Sequence, residues 1–448
     1  SSERERTGGD PLNTSKGKTP IREICMHQKN TPFSPFLNLG EFVLALSRAM
    51  DLANPQLTDH APRVATIAHQ IGIALELEED DLHALLFSAL LHDTGISSSE
   101  MKLQAADFDV GLNTQKHCLD SGELFRDSDL LDFTEPIITN HHIHWPNIRP
   151  EETHLSSPQM LGNLIHLADR VEVLLNRDEP ILLQKNAVQE KIDRQRGKVF
   201  APFLVDTLLS LGRREAFWLD IESGRGTEAV RGFVCEHGMH IPLPQVRDLS
   251  SIFASIIDRK SPYTFWHSHG VAQNAAEMAT FLGYAPPETL RIEIAALLHD
   301  LGKLSIPDSI LEKPDSLTER ERLCMSQHSF HTLHLLEGIT YFEEIGRWAA
   351  YHHEKLDGSG YPFRLGAEEV PTEARILAVS DIYQALREER PYRPPKPQEQ
   401  AFAILRDMAL KGELDPDMVH ALEGSALCWP GPLMPSNPQI SPLSQLLL

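Results

Sequence analysis

Ten of the 22 histidines fall, with four aspartates, into two series of matching spacing. The first is His60, His92-Asp93, His117, His141-His142 and Asp169; the second is His267, His299-Asp300, His328, His352-His353 and Asp381. Successive histidine marks lie 32, 25 and 24 residues apart in the first series and 32, 29 and 24 in the second. The closing aspartate follows the histidine pair by 27 residues in one and 28 in the other. Marks held in register over such lengths identify an internal duplication. Imidazole and carboxylate together suit borderline divalent ions, Fe or Mn first and then Ni, Mg or Zn, and no thiolate stands out that would select zinc. A carboxylate bridging two ions ~3.5–4 Å apart lets the pair polarise a phosphoryl oxygen, activate a shared water and stabilise an in-line displacement. Two divalent ions are therefore the expected cofactor.

Helices must carry these side chains. Val43, Leu46 and Met50 stand at helical spacing, as do Val64, Ile67, Ala68 and Ile71. Leu249, Ile252, Phe253, Ile256 and Ile257 make another stripe, and Leu290, Ile294, Leu297 and Leu298 a further one. Alternating β-branched runs bounded by turn residues are almost absent, so the fold class read here is all-α, two tandem helical bundles. The expected organisation is a flexible N-terminal extension over 1–35, a first bundle over 36–225 and a linker over 226–248. A second bundle over 249–428 and a Pro-rich tail over 429–448 complete it.

Composition narrows the partners. With 41 Lys and Arg against 64 Asp and Glu, the formal charge is −23. That disfavours nucleic acid polymers and anionic membranes, both of which need a basic footprint. The five cysteines (Cys25, Cys118, Cys235, Cys324, Cys428) form no CxxC pair and are odd in number, which favours a reducing compartment. No apolar run approaches a membrane span, the opening SSERERTGGD has no secretory apolar segment, and Met26 is a candidate natural start. The expected location is the cytoplasm.

The second series sits in stretches that resemble the HD-GYP subfamily of the HD metal-dependent phosphohydrolases. These are SPYTFWHSHGVA (261–272), LLHDLGKLSIPD (297–308), HSF (328–330), YHHEKLDGSGYP (351–362) and ARILAVSDIYQALREERPYRP (374–394). The resemblance implies a phosphodiesterase that opens 3′,3′-cyclic dinucleotides in second-messenger signalling, cyclic di-GMP in most branches and 3′,3′-cGAMP in some. It implies that His267, His299, Asp300, His328, His352, His353 and Asp381 hold the metals, with Asp300 bridging. It makes Lys303 the group that contacts the scissile phosphate or protonates the leaving oxygen, one helical turn from the His299-Asp300 pair. Arg390 and Arg393 would hold phosphates, and Gly358, Gly360, Tyr361 and Pro362 would shape the loop beside the histidine pair, with Gly360, Tyr361 and Pro362 lining the substrate and Tyr361 stacking on a base or contacting a phosphate. Three departures accompany these matches. Tyr263 replaces a glutamate that brings a third metal in some members, so two ions are expected. Gly270 stands where the family usually has Arg, and Thr332 where it usually has Gly.

The first series, His60, His92, Asp93, His117, His141, His142 and Asp169, reads as a second metal site without the dinucleotide apparatus. Ile96 replaces the lysine, HHIHWPNIRP replaces the GYP loop, and Arg177, eight residues beyond Asp169, is no convincing phosphate arginine. It is either a second reaction centre or a relic. His144, His166, His240, His269, His331 and His334 have no matched partner and read as solvated or packing residues. An HD domain ahead of an HD-GYP domain resembles the layout of 3′,3′-cGAMP phosphodiesterases, which yield linear 5′-pApG; the first half would then act as a 5′-nucleotidase on that product. A cyclic di-GMP phosphodiesterase, a hydrolase of (p)ppGpp or dNTPs, and a non-catalytic cyclic-dinucleotide receptor stay open, and a homodimer is a further expected partner.

Overall fold

The computed structural model describes residues 36–52, 59–95, 114–260, 266–313, 315–389 and 394–428. Tyr263, Ile96, Arg390 and Arg393 lie outside the described residues, as do the N-terminal extension up to residue 35 and the Pro-rich tail. Helices account for nearly all regular structure, as the periodicity requires. The first half contains α1 (Leu39–Asp51), α2 (His60–Ala74), α3 (Glu79–Leu91), α4 (Thr114–Glu123), α5 (Glu135–Ile138) and α6 (Pro158–Val173). It continues through α7 (Ile181–Asp193), α8 (Pro202–Leu211), α9 (Glu215–Glu222) and α10 (Arg225–Glu236). The second half opens on α11 (Leu243–Arg259), α12 (His267–Phe281) and α13 (Pro286–Leu298), then the short α14 (Asp308–Leu311). There follow α15 (Glu319–Met325), α16 (Gln327–Leu336), α17 (Glu343–Ala350), α18 (Thr372–Arg387), α19 (Gln398–Leu410) and α20 (Pro416–Cys428). No described helix is long and apolar enough to cross a membrane.

The duplication reaches the details of helix entry. Asp51 accepts the backbone N–H of Ala61 at 3.2 Å, and Asp258 accepts that of Ser268 at 3.1 Å, each just inside a helix that begins on the first histidine of its series. A carboxylate there satisfies an orphan donor and faces the positive helix end. Gly95 N–H donates to Ser121 Oγ and Gly302 N–H to Thr332 Oγ1, both at 2.9 Å. Thr332, a family departure, thus does in the second half what Ser121 does in the first.

The stretch read as a linker is folded. Within 226–248, α10 packs on α1 and α2, and β2 (His240–Pro242) pairs antiparallel with β1 (Phe36–Asn38), Leu37 opposite Ile241. The halves also share a core. Phe42 of α1 stacks on Phe253 of α11 at 4.9 Å and meets Phe342 edge-on at 5.7 Å, all three fully buried. Rings in such arrangements add about 0.5–1.5 kcal/mol per pair beyond their area. α1 lies against α16 and against the 3₁₀ turn Leu301–Ser305, both of the second half.

Candidate metal centres

In the second half His267 opens α12, His299 caps the end of α13, His328 lies in the first turn of α16, His352 and His353 follow α17, and Asp381 sits inside α18. The packing brings all seven expected ligands together. His267 Nε2 is 3.0 Å from Asp381 Oδ1, and His353 Nδ1 is 4.0 Å from Asp381 Oδ2. Asp300 stands between three imidazoles: His299 Nε2 at 3.2 Å, His328 Nε2 at 3.5 Å and His352 Nε2 at 4.0 Å.

Backbone carbonyls aim these rings. The Nδ1–H of His299 donates to Ala296, that of His328 to Met325 and that of His352 to Ala349, at 2.6–2.7 Å. A ring that donates from Nδ1 presents a bare lone pair at Nε2, the atom directed at the cluster. His299 Nε2, His352 Nε2 and Asp300 Oδ1 are buried and have no hydrogen-bond partner in the protein. Leaving such groups unmatched is costly, and a cation is the partner that fits three acceptors at once. The donor set therefore suits divalent metal, in two groups: His267, His299 and Asp381, and His299, Asp300 and His352 with His328 and His353 adjoining.

Electrostatics agree with that fit. Burial, then His353, lowers His328 to about 3, and burial outweighs the nearby carboxylates to bring His353 to about 4. Burial would raise Asp300, but His299 and Lys303 hold it well below the usual carboxylate range. Neutral imidazole and ionised carboxylate are the ligand forms a metal requires. His267 is different. Burial acts to lower it, yet bonds to Asp381 and Glu388 raise it to about 10, marking a place that demands positive charge.

Lys303 Nζ lies 2.5 Å from Asp300 Oδ2. It gets there otherwise than by continued α-helix: α13 ends at Leu298, and Lys303 rides the tight 3₁₀ turn Leu301–Ser305. Two anchors fix that turn. Thr332 Oγ1 accepts from Gly302 and donates to the His299 carbonyl, and Gly302 approaches the His328 carbonyl so closely that any side chain would collide. The buried Lys260 donates to the carbonyls of Leu304 and Ile306, each at 2.6 Å, and of Lys303 at 3.3 Å. Lys260 escaped sequence reading because only the fold carries α11 under the turn.

The GYP loop closes one side. Gly360 has no room for a side chain against Glu354 and Lys355, and Gly358 adopts φ +77°. The buried Glu354 accepts the N–H groups of Phe363 and Leu365 at 2.7 and 2.9 Å, and Tyr361 lies against His353 with ring centroids 4.8 Å apart. Pro362 follows Tyr361 between those anchors. Burial keeps the Tyr361 hydroxyl protonated well beyond its ordinary range.

The first half assembles its seven residues too, on different terms. Asp93 Oδ1 is 3.7 Å from His92 Nε2, 3.9 Å from His117 and 3.8 Å from His141. His60 Nε2 is 3.4 Å from Asp169 Oδ1. Arg170 donates to Asp169 Oδ2 from two nitrogens, at 2.7 and 3.0 Å, and both residues are buried. Arg177 pairs with Glu172 at 2.8 Å. Beyond the histidine pair, Trp145 N–H bonds the Val199 carbonyl, so this segment is tied to the stretch leading into α8 where the second half has its GYP loop.

One ligand candidate corrects the sequence reading that no thiolate is at hand. Cys118 Sγ lies 3.8 Å from both His117 Nε2 and His141 Nε2, within a group that also contains His142. Burial pushes its thiol up. Its place directly after His117 was the available signal. Among the unmatched histidines, His166 is fully buried and packs against His142 and Phe200, a packing residue and not a solvated one.

Residues 57–174 and 251–418 each match an HD domain family. The chain is 30% identical over 405 residues to 3′3′-cGAMP-specific phosphodiesterase 1 of Vibrio cholerae, covering 88% of this chain and 93% of that one. It is 29% identical to the same organism's 3′3′-cGAMP-specific phosphodiesterase 3, over 86% of this chain and 94% of the relative. A cyclic di-GMP phosphodiesterase response regulator of Xanthomonas campestris is 41% identical over 39% of this chain and 47% of its own. The crystal structure of a cyclic GMP-AMP specific phosphodiesterase of V. cholerae superposes with a TM-score of 0.63 at 25% identity, covering 88% of this chain and 99% of that one.

Proposed function

The chain belongs to the tandem HD phosphodiesterases of the HD-GYP type, and from that membership we propose that its second half opens a 3′,3′-cyclic dinucleotide, 3′,3′-cGAMP by preference, to linear 5′-pApG. The observation that carries the reading is Asp300 among three lone-pair-bearing imidazoles with the Lys303 ammonium 2.5 Å away. His267, His299 and Asp381 would hold one divalent ion, His328, His352 and His353 another, and Asp300 would lie between them. Bound there, the ions supply Lewis acidity to the phosphoryl oxygens and lower the pKa of water. Fe and Mn suit this His/Asp set best.

The protein's own groups do the rest. In this reading Lys303 Nζ holds positive charge beside the scissile phosphate and gives a proton to the departing 3′-oxygen, which its ion pair with Asp300 supports. Water adds to phosphorus as that P–O bond breaks, leaving a 3′-hydroxyl and a 5′-phosphate. Thr332 and Lys260 keep the turn bearing Lys303 from drifting. Tyr361 offers a face beside His353 for a base or the phosphodiester, and Arg390 and Arg393 are assigned to the phosphates by sequence alone.

Relatives named for 3′3′-cGAMP match across both halves, which supports that substrate over cyclic di-GMP; the higher local identity to a cyclic di-GMP phosphodiesterase favours the competing reading. Chromatography of 3′,3′-cGAMP, cyclic di-GMP and cyclic di-AMP incubated with Mn- or Fe-loaded protein, with Asp300→Ala as control, separates them. Fastest loss of 3′,3′-cGAMP is expected; preferential loss of cyclic di-GMP overturns the preference, and binding without turnover overturns catalysis. Removal of the product's 5′-phosphate by the first half is the subsidiary reading, tested by phosphate release from pApG in a His92→Ala, Asp93→Ala variant, which should lose it.

A further inference from the structure

Where the second half has Ser329, whose hydroxyl lies 3.2 Å from His328 Nε2, the first half has Cys118 at the same place beside His117. His141 donates its Nδ1–H to the Ile138 carbonyl at 2.6 Å, so its Nε2 carries the lone pair, and that atom lies 3.1 Å from His117 Nε2 and 3.8 Å from Cys118 Sγ. Two imidazole nitrogens and a sulfur at 3.1 and 3.8 Å are spaced like the edges of a tetrahedron around an ion bound at roughly 2.0–2.3 Å. His142 completes the group, with a donor atom within 4.8 Å of the others and a buried Nδ1 that has no hydrogen-bond partner.

We propose that Cys118 is a metal ligand, and that His117, Cys118, His141 and His142 hold a zinc ion in the first half. Sulfur changes which ion is preferred, since thiolate draws zinc where the all-His/Asp set of the second half accepts harder ions. Four protein donors also fill that ion's coordination sphere, the mark of a zinc that holds structure, and leave any phosphate chemistry of the first half to the separate His60, His92 and Asp93 group. The proposal deepens the reading of the first half as a metal-holding module. It is read spectroscopically, so it can fail while dinucleotide cleavage by the second half stands.

The full-length protein is stripped with a chelator and reloaded with Co(II), whose thiolate complexes absorb strongly in the near ultraviolet. The unmutated protein should show that sulfur-to-cobalt band, Cys118→Ser should lose it completely, and Cys235→Ser should keep it. After dialysis against a competing chelator, Cys118→Ser should retain about one zinc equivalent fewer per chain than the parent. Absence of the band from the unmutated protein overturns the proposal whatever the variants do, and so does its survival in Cys118→Ser.

Discussion

Both halves set a cation against an aspartate of the ligand series, but against different ones. In the second half the Lys303 ammonium leans on Asp300, between the imidazoles, whereas in the first the Arg170 guanidinium clamps Asp169, at the far end of the set. The central carboxylates differ as well: the Asp300 side chain is 3% exposed and the Asp93 side chain 17%. On the proposed reading, one scaffold carries its charge where a leaving group would depart, and the other uses it to restrain an aspartate of the series. Duplication preserved the clustering of histidine and aspartate in both halves and left the lysine beside the central aspartate in only one of them.

The orienting carboxylate of the first histidine shows the same divergence. His60 Nδ1 bonds Glu172, three residues beyond Asp169, which Arg63 also contacts at 3.2 Å. His267 Nδ1 bonds Glu388, seven residues beyond Asp381, at 3.1 Å. At the position matching Arg63 stands Gly270, and at that matching Glu172 stands Gln384, which donates to Glu388 at 2.8 Å. A side chain on Gly270 would run into Gln384, so the two replacements go together. The absence of arginine at position 270 is offset by a glutamine that fills its space and a carboxylate one helical turn further on.

The contrast between halves can be broken experimentally. The largest effect is expected from Asp300→Ala, which should lower dinucleotide turnover by about 10³-fold or more, while Asp93→Ala stays within about threefold; equal losses in steady-state assays would erase the division of labour. Lys303→Ala should cost about 10²-fold in kcat with metal content unchanged by elemental analysis. Lys260→Met, which frees the turn below Lys303, should cost about tenfold in kcat and little in KM. Glu388→Ala should weaken Mn(II) binding about tenfold by titration, and adding Gly270→Arg with Gln384→Glu, the arrangement of the first half, should restore it. Persistent weakness in the triple variant would show that the two carboxylate registers are not interchangeable. Phe42→Ala should leave the rate at low temperature nearly unchanged yet destabilise the fold by about 3 kcal/mol in thermal or denaturant melts.

Much of this was legible in the sequence because ligand chemistry tolerates little drift: His267 to Asp381 and their earlier counterparts keep their types and nearly their spacing. The helical stripes around Val64 and Leu297 likewise follow from burial on one face. What stayed hidden depends on proximity across the chain. Cys118 has no cysteine neighbour in sequence and meets its partners only when α4 packs beside the His141-His142 segment. Glu172 and Glu388 serve one purpose from registers four residues apart, both on the helix face of the aspartate, so no fixed spacing betrays them. Lys260 lies 43 residues from the turn it holds. Arg170 went unremarked in the sequence although it adjoins Asp169, because only the fold buries it against that carboxylate.

The shared phenylalanine core has a consequence for how this protein can be taken apart. With Phe42 seated between Phe253 and Phe342, and α1 lying against the Leu301–Ser305 turn, excising either half would strip apolar surface from the other. A fragment beginning at α11 would carry every expected ligand of the second series and still lack the helix that covers the turn of Lys303.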